Sequence, residues 1–329
     1  MYYMERQREK IDVLMSVQYA YEETGGVARW AAEAKPHIED KTGGKVVLTF
    51  PKKKNDTESI LPDDSAFLGK AHKHKAYGTE FHSSGPVSKK EIRNVVRNSD
   101  VASIDVFHFQ EPLAGLGVSG VIRAFPEAGF VCHVHAYKEN LDFGTKIGIH
   151  GVKALRYHTR IMKKMDRTLA VSEVTADAWR EFWPVDYDII RNGIDTDELT
   201  PYGPIINEWK KIPGKKTILF VGRHDQRKDL KTLVLGYHEV RKVRNDAQLK
   251  IAGDGVTTEE VIKMVDELKI PDVEFLGRLP RSDDDPKKLD LIKAYRTADI
   301  FTGTSEGGEA FNRTVAESVC SGTMAVQLP

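Results

Sequence analysis

The stretch "TILFVGRHDQRKDLKTLVLGYHEVRKVRNDAQLKIAGDG", Thr217–Gly255, carries the two hydrophobic periods that decide the fold. Its opening "TILFV" is a short, continuous apolar run with β-branched residues, the pattern of a strand covered on both faces. "LKTLVLGYHEVRKVR" then places apolar residues three and four apart, which puts them on one stripe of a helix. "QLKIAGDG" returns to a strand and ends in glycines. Strand, crossover helix and strand together make one step of a parallel sheet.

The alternation continues on both sides. Downstream, "TEEVIKMVDELKI", "DPKKLDLIKAYRTA" and "NRTVAESVCSG" read as helices, and "VEFLGRL", "DIFTGTS" and "MAVQLP" as strands. Upstream, "KIDVLMSV", "KVVLTF", "IDVFHF", "GFVCHVHAY" and "RTLAVSE" are strands between helical patterns, and "YDIIRNGID" completes that half. In "SKKEIRNVVRNS", Ser88 and Glu91 have the spacing of a capping box. Ile60–Pro86 shows neither period and is expected to form a long loop. The prolines and glycines of "TPYGPIINEWKKIPGKK", Thr200–Lys216, mark a linker. The expected class is α/β: two doubly wound, Rossmann-like domains facing each other across a cleft, residues 1–200 and 201–329. The second stops one strand after "ESVCSG", where a parallel sheet normally adds a covering helix. It is therefore expected to be truncated.

Composition narrows the function. The 329 residues are 40% hydrophobic and 30% charged, and Lys+Arg and Asp+Glu balance at 49 each. That balance gives no reason to expect a nucleic-acid partner, and any attraction to an anionic surface must be local. Cys132 and Cys320 lie in apolar contexts without metal-ligand spacing, as buried thiols of a reducing compartment do. "MYYMERQREK" lacks the apolar core of a signal peptide, and no apolar run is long enough to span a bilayer. A soluble, cytoplasmic protein is expected.

Ligands of a doubly wound sheet bind beyond the carboxyl ends of its strands, so the residues after each strand matter most. Gly25 and Gly26 follow the first strand and open a helix, where backbone N–H groups can approach an anion or where the pair serves only as a tight turn. In "GRHDQRKDL", Gly222 leads to Arg223 and Lys228, with Arg227 beside them. Such a pair neutralises a diphosphate, above all one gaining charge as a leaving group, or else lines a solvated loop. The Gly-x4-Gly-Lys-Ser/Thr spacing of a P-loop is absent.

"GGEAFNRTVAE", Gly307–Glu317, has a helix start near Phe311 or Asn312, so that the amides of Phe311, Asn312 and Arg313 would face a phosphate. A carboxylate repels phosphate. Glu309 and Glu317 therefore fit hydroxyls on either side of it: a sugar for Glu309 and a ribose diol for Glu317. Otherwise Glu309 is a helix-capping acid and Glu317 a solvent-facing one. His108, His133 and His135 also sit at strand ends; His133 and His135 share a strand face, but that pair has no third ligand nearby in the sequence and no cysteine pair to suggest a metal. One of them reaching the site as a hydrogen-bond donor fits better than zinc, and the plain alternative for His133 is a buried, satisfied histidine. Lys89, Lys90, Arg93 and Arg97 form a basic helix face, suited to an anionic bilayer at about 1 kcal/mol per residue or to plain solubility.

Together these segments resemble the retaining GT-B glycosyltransferases of family 4 over nearly the whole chain. "GGVARWAAE" is similar to that family's N-terminal glycine motif, "DVFHFQEPLAG" to its "D-V-x-H-x-H-E-P" strand and "VHAY" to its histidine strand end. "AVSE" with "IRNGIDTDEL", "FVGRHDQRKDL", "IAGDG", "VEFLGRL" and "AYRTADIF" follow in the family's order, and "EAFNRTVAESVCSGT" matches its E-x7-E signature. "GGEAF" and "FHFQEPL" resemble most the phosphatidylinositol α-mannosyltransferases.

The resemblance implies GDP-mannose as donor, an inositol phospholipid as hydroxyl acceptor, docking to the inner membrane face, and no obligatory cofactor or metal. It assigns Gly26 to the donor phosphate, His135 to the sugar near the reacting carbon, Arg223 and Lys228 to the diphosphate, Glu309 to sugar hydroxyls and Glu317 to the ribose. A family-4 transferase using a UDP-sugar with a soluble or polyprenyl acceptor, and a non-catalytic nucleotide-sugar-binding module, are the alternatives. Four residues depart from the pattern. Gln110 stands where a histidine is usual, Arg191 where a proline is, and Asp229 and Asn312 where glycines are. The family's C-terminal segment, which crosses back to the first domain, is also missing.

Overall fold

The computed structural model describes residues 10–20, 26–54, 61, 63–76, 79–101, 103–111, 118–135, 159–181, 183–210, 212–281, 290–305 and 309–327. The chain divides into two compact units. One is Met1–Lys75 with Glu80–Asn192, and the other is Ala76–Thr79 with Gly193–Pro329.

The first unit is built on eight strands in the order β4-β3-β2-β1-β5-β6-β7-β8. They are β1 (Val13–Val17), β2 (Val46–Lys52), β3 (Ser65–Ala76), β4 (Thr79–Ser84), β5 (Val106–Gln110), β6 (Gly129–Val134), β7 (Arg167–Ala170) and β8 (Asp188–Ile189). β1 pairs in parallel with both β2 and β5, and the order reverses there. Every residue of β1 is buried, as its unbroken apolar run requires. The helices are α1 (Gly26–Thr42), α2 (Lys89–Asn98), α3 (Val118–Ala124) and α4 (Glu173–Arg180). α1 covers one face with Ala28 and Ala31 against Met15, Leu48 and Phe50. α2 and α3 cover the other, packing Ile92, Val95 and Val121 against Phe107 and Phe109.

Two differences from the sequence expectation arise here. Ile60–Pro86 is not one long loop, since β3 and β4 lie within it. They occupy the sheet edge, where a polar, lysine-rich segment can pair without a buried apolar face, so neither hydrophobic period marks it. Cys132 is buried as expected, but Cys320 is only half-buried.

The second unit has five strands in the order β11-β10-β9-β12-β13, all parallel. They are β9 (Lys216–Val221), β10 (Ala247–Ala252), β11 (Val273–Gly277), β12 (Ile300–Gly303) and β13 (Met324–Gln327). The helices are α5 (Leu230–Val243), α6 (Thr258–Glu267), α7 (Leu291–Thr297) and α8 (Arg313–Cys320). α5 and α6 bury Leu233, Val234, Tyr237 and Val261 against β10 on one face. On the other, Tyr295 and Phe301 share a core with Leu199, Ile206 and Trp209. The stretch read as a linker thus contributes core residues to this unit. The sheet reverses order between β9 and β12, so the loops after these strands flank its switch point.

Candidate functional site

The loop after β9 is held in one shape by its own side chains. Asp225, buried, caps a single 3-10 turn (Gln226–Lys228) by accepting from the Lys228 N–H at 3.1 Å. Asp229 ends that turn at φ 41°, in the left-handed region, and its carboxylate accepts from the Thr232 N–H at 3.2 Å to cap α5. The glycines of "IAGDG" explain the fit from below. A Cβ at Gly253 would lie 1.8 Å from the Gly222 carbonyl oxygen, and one at Gly255 2.4 Å from that of His224. Only bare backbone lets the β10 loop approach the β9 loop so closely. His224 is buried between them with Nδ1 2.8 Å from the Thr258 hydroxyl, and burial lowers its pKa.

The loop after β12 meets this turn. Glu309 receives Lys228 Nζ on Oε1 and Arg227 Nη1 on Oε2, the latter at 3.3 Å. Ser305 Oγ donates to Oε1 at 2.5 Å, and Thr304 Oγ1 donates to the Lys228 carbonyl at 2.9 Å. Burial pushes the Lys228 ammonium below its ordinary pKa, against the pull of Glu309. Burial also acts to raise the Glu309 carboxyl, but Lys228 and Arg227 outweigh it and hold it low, so Glu309 is ionised. Arg223 is more exposed and pairs with Asp225 at 3.1 Å. Lys228 and Glu309, 81 positions apart, meet beside the switch point. At Gly222, a Cβ would sit 3.0 Å from the Phe220 ring.

α8 begins at Arg313 with Asn312 as its N-cap, close to the expected start, and Phe311 is half-buried beside it. Asn312 has φ 51° and makes no side-chain cap bond. Its amide donates to Gln327 Oε1 at 3.1 Å and its oxygen accepts from Thr314 Oγ1 at 2.9 Å. Glu317 is not the solvent-facing residue that one reading allowed, for it is only 2% exposed. It accepts from Tyr295 Oη at 3.1 Å and Arg281 Nη1 at 3.2 Å, with Arg313 3.6 Å away. Arg281 also donates to Glu198 at 2.7 Å.

In the first unit, the ends of β5 and β6 gather His108, His133 and His135 around Trp30 of α1. The ring centroids lie 5.9, 4.8 and 5.3 Å from the indole. His135 Nε2 is 2.7 Å from Gln110 Oε1, and its backbone N–H donates to Glu111. His133 is buried, and its ring nitrogens make no close hydrogen bond, with the Ile190 backbone as a polar group acting on them. Burial, then the neighbouring imidazoles His135 and His108, hold its pKa well down, and burial alone lowers His108 to about 4. Among the described residues no group of acidic, histidine or cysteine side chains has a metal-binding arrangement. Gly26 is the first residue of α1, and a Cβ there would meet nothing within 4 Å, so the fold does not itself demand glycine. Gly25 lies outside the described residues.

On α2 the capping box forms in full. The Ser88 N–H donates to Glu91 at 2.8 Å and the Glu91 N–H to Ser88 at 3.2 Å. Ile92 and Val95 are buried while Lys89, Lys90, Arg93 and Arg97 are all exposed, so the basic face points to solvent. No helix among the described residues is long and apolar enough to cross a membrane.

Sequence reading passed over Ser305, Asp225 and Arg281 as site residues and named Arg227 only as a neighbour of the basic pair. Asp225 carried a signal, an acid three residues before Lys228 at capping spacing. Ser305 and Arg281 carried none, because their roles depend on strands distant in sequence.

A family model described as Glycosyltransferase Family 4 matches residues 24–198, and one described as Glycosyl transferases group 1 matches residues 204–327. The phosphatidyl-myo-inositol mannosyltransferase of Mycobacterium leprae is 29% identical over 244 residues, covering 73% of this chain and 59% of that protein. The Mycolicibacterium smegmatis protein of the same name is 26% identical over 245 residues, 74% of this chain and 57% of its own. The chain thus spans less than two thirds of the length of these relatives. The crystal structure of Anabaena HepE with UDP and glucose superposes with a TM-score of 0.68 at 14% identity, covering 96% of this chain and 80% of that one. The last likeness shows the fold, which is GT-B. Since one family model alone matches more than half of the 329 residues, the chain belongs to glycosyltransferase family 4.

Proposed function

We propose that the chain is the donor-binding and acceptor-side body of a retaining hexosyltransferase that uses a nucleoside diphosphate sugar. One observation carries this: Lys228 and Arg227 converge with Glu309 at the switch point of the second sheet. A cation pair on a rigid turn suits a diphosphate, and an ionised carboxylate beside it suits sugar hydroxyls. Arg223, half-exposed, adds a third positive group, and the α8 terminus favours negative charge. Departure of the nucleoside diphosphate concentrates charge on its terminal phosphate, where these groups stabilise it. The acceptor hydroxyl then attacks from the face the nucleotide leaves, and the departing phosphate oxygen takes its proton. Gly26 and His135 are assigned to the donor phosphate and the sugar respectively, and Glu317 to the ribose.

Mannose is the proposed sugar and an inositol phospholipid the proposed acceptor, on the strength of relatives named phosphatidyl-myo-inositol mannosyltransferase, and GDP-mannose is the donor that the sequence resemblance implies. The exposed basic face of α2 supports peripheral docking to an anionic membrane at the cytoplasmic face. HepE, solved with UDP and glucose, keeps a UDP-sugar as the alternative donor. Donor hydrolysis by the full chain, screened over GDP- and UDP-sugars, tests the reading. Release of mannose from GDP-mannose is expected, a response only to UDP-sugars selects the alternative, and binding without hydrolysis of any sugar leaves a binding module. Sedimentation with phosphatidylinositol vesicles at low and high salt tests the membrane part. Binding at low salt should be lost when Lys89, Lys90, Arg93 and Arg97 are replaced by Glu, and vesicle binding unaffected by that change would remove α2 from the surface.

A further inference from the structure

Among the described residues, the turn that carries Arg227 and Lys228 has more positive than negative charge to satisfy it. Glu309 is shared by both cations, and the three side chains are only 18%, 14% and 11% exposed. The other described acids at this turn are committed elsewhere, Asp225 to Arg223 and the Lys228 N–H and Asp229 to the Thr232 N–H. Among the described residues two largely enclosed cations therefore share one carboxylate, an arrangement whose desolvation cost a second negative charge would relieve. The geometry of that carboxylate is also informative. Its two oxygens accept from two different cations, as two oxygens of one phosphate group would, and Ser305 anchors one of them. Arg227 and Lys228 are adjacent on a turn locked at both ends, by Asp225 and by Asp229, so they reach toward one anion together.

We propose that Glu309 is a built-in stand-in for phosphate, and that Arg227 is a third diphosphate-binding residue beside Arg223 and Lys228. A nucleoside diphosphate takes Arg227 and Lys228 from Glu309, and the carboxylate, still held by Ser305, turns its released oxygen to the sugar hydroxyls. Nucleotide and carboxylate thus compete for the same cations, and the complete donor satisfies both at once. The inference rests on the diphosphate reading above, which already uses Arg227, and adds to it the exchange with Glu309.

Calorimetric titration of UDP and of GDP into the full chain and its variants tests it, with thermal melting to confirm that each variant folds. Arg227→Met should weaken the nucleoside diphosphate about tenfold or more, the equivalent of one charge-assisted hydrogen bond, and Arg227→Lys by less than about threefold. Glu309→Gln should tighten the nucleoside diphosphate at least about threefold while weakening the nucleotide sugar. Arg227→Met binding like the wild type while Lys228→Ala loses binding would leave the diphosphate site standing and overturn the part given to Arg227. Glu309→Gln with unchanged or weaker nucleoside diphosphate binding would overturn the exchange. Failure of the folded wild type to bind either nucleotide would overturn both this inference and the function it builds on.

Discussion

Asn312 and Asp229 look like defects in the family pattern, since each replaces a glycine. Both have positive φ, 51° and 41°, so the glycine pattern marks a left-handed backbone rather than a need for bare space. Asn and Asp are the side chains best tolerated there. The same physics sets a test. Asn312→Ala and Asn312→Gly lose the same side-chain bonds, but only alanine resists the conformation. Urea denaturation should find the alanine variant less stable by roughly 1 kcal/mol. Equal stabilities would mean that the turn relaxes out of the left-handed region.

His108 gives a residue-scale prediction of another kind. Burial lowers its pKa from 6.5 to about 4 in the folded chain. The unfolded chain therefore binds a proton that the folded chain refuses between these values, and stability falls as pH drops through that window. The loss between pH 7 and pH 4.5 should be on the order of 2 to 3 kcal/mol from this group. In His108→Leu, the urea midpoint should fall less steeply over that range. A slope identical to the wild type would show that other groups set it.

At the scale of elements, α2 was the most legible part of the sequence. Its capping box, buried Ile92 and Val95, and exposed basic residues follow from one helical period. Ser88→Ala should cost about 1 kcal/mol in urea denaturation, without changing the exposed charge. An unchanged midpoint would show that packing alone holds the helix start. β3 and β4 were not legible, because edge strands need no apolar run and their lysine-rich pattern resembles a loop. The candidate site divided the same way. Arg223, Lys228 and Glu309 were singled out by their position after strands, whereas Asp225 was passed over although its capping distance from Lys228 was readable. Arg281 and Tyr295 became visible only when the chain had folded them around Glu317.

For the molecule as a whole, the strand–helix alternation was enough to expect two Rossmann-like sheets, and both are present with the order reversals that create ligand sites. What periodicity cannot supply is the pairing of loops 81 positions apart, which brings Lys228 onto Glu309. The function proposed here depends on that pairing more than on any motif. Titration of GDP-mannose and the UDP-sugars into the wild-type chain and Lys228→Ala, each shown to be folded, tests it directly. At least one donor should bind the wild type and lose affinity about tenfold or more in the variant, with melting temperature little changed. Equal affinity in the two proteins would contradict a diphosphate held by this turn.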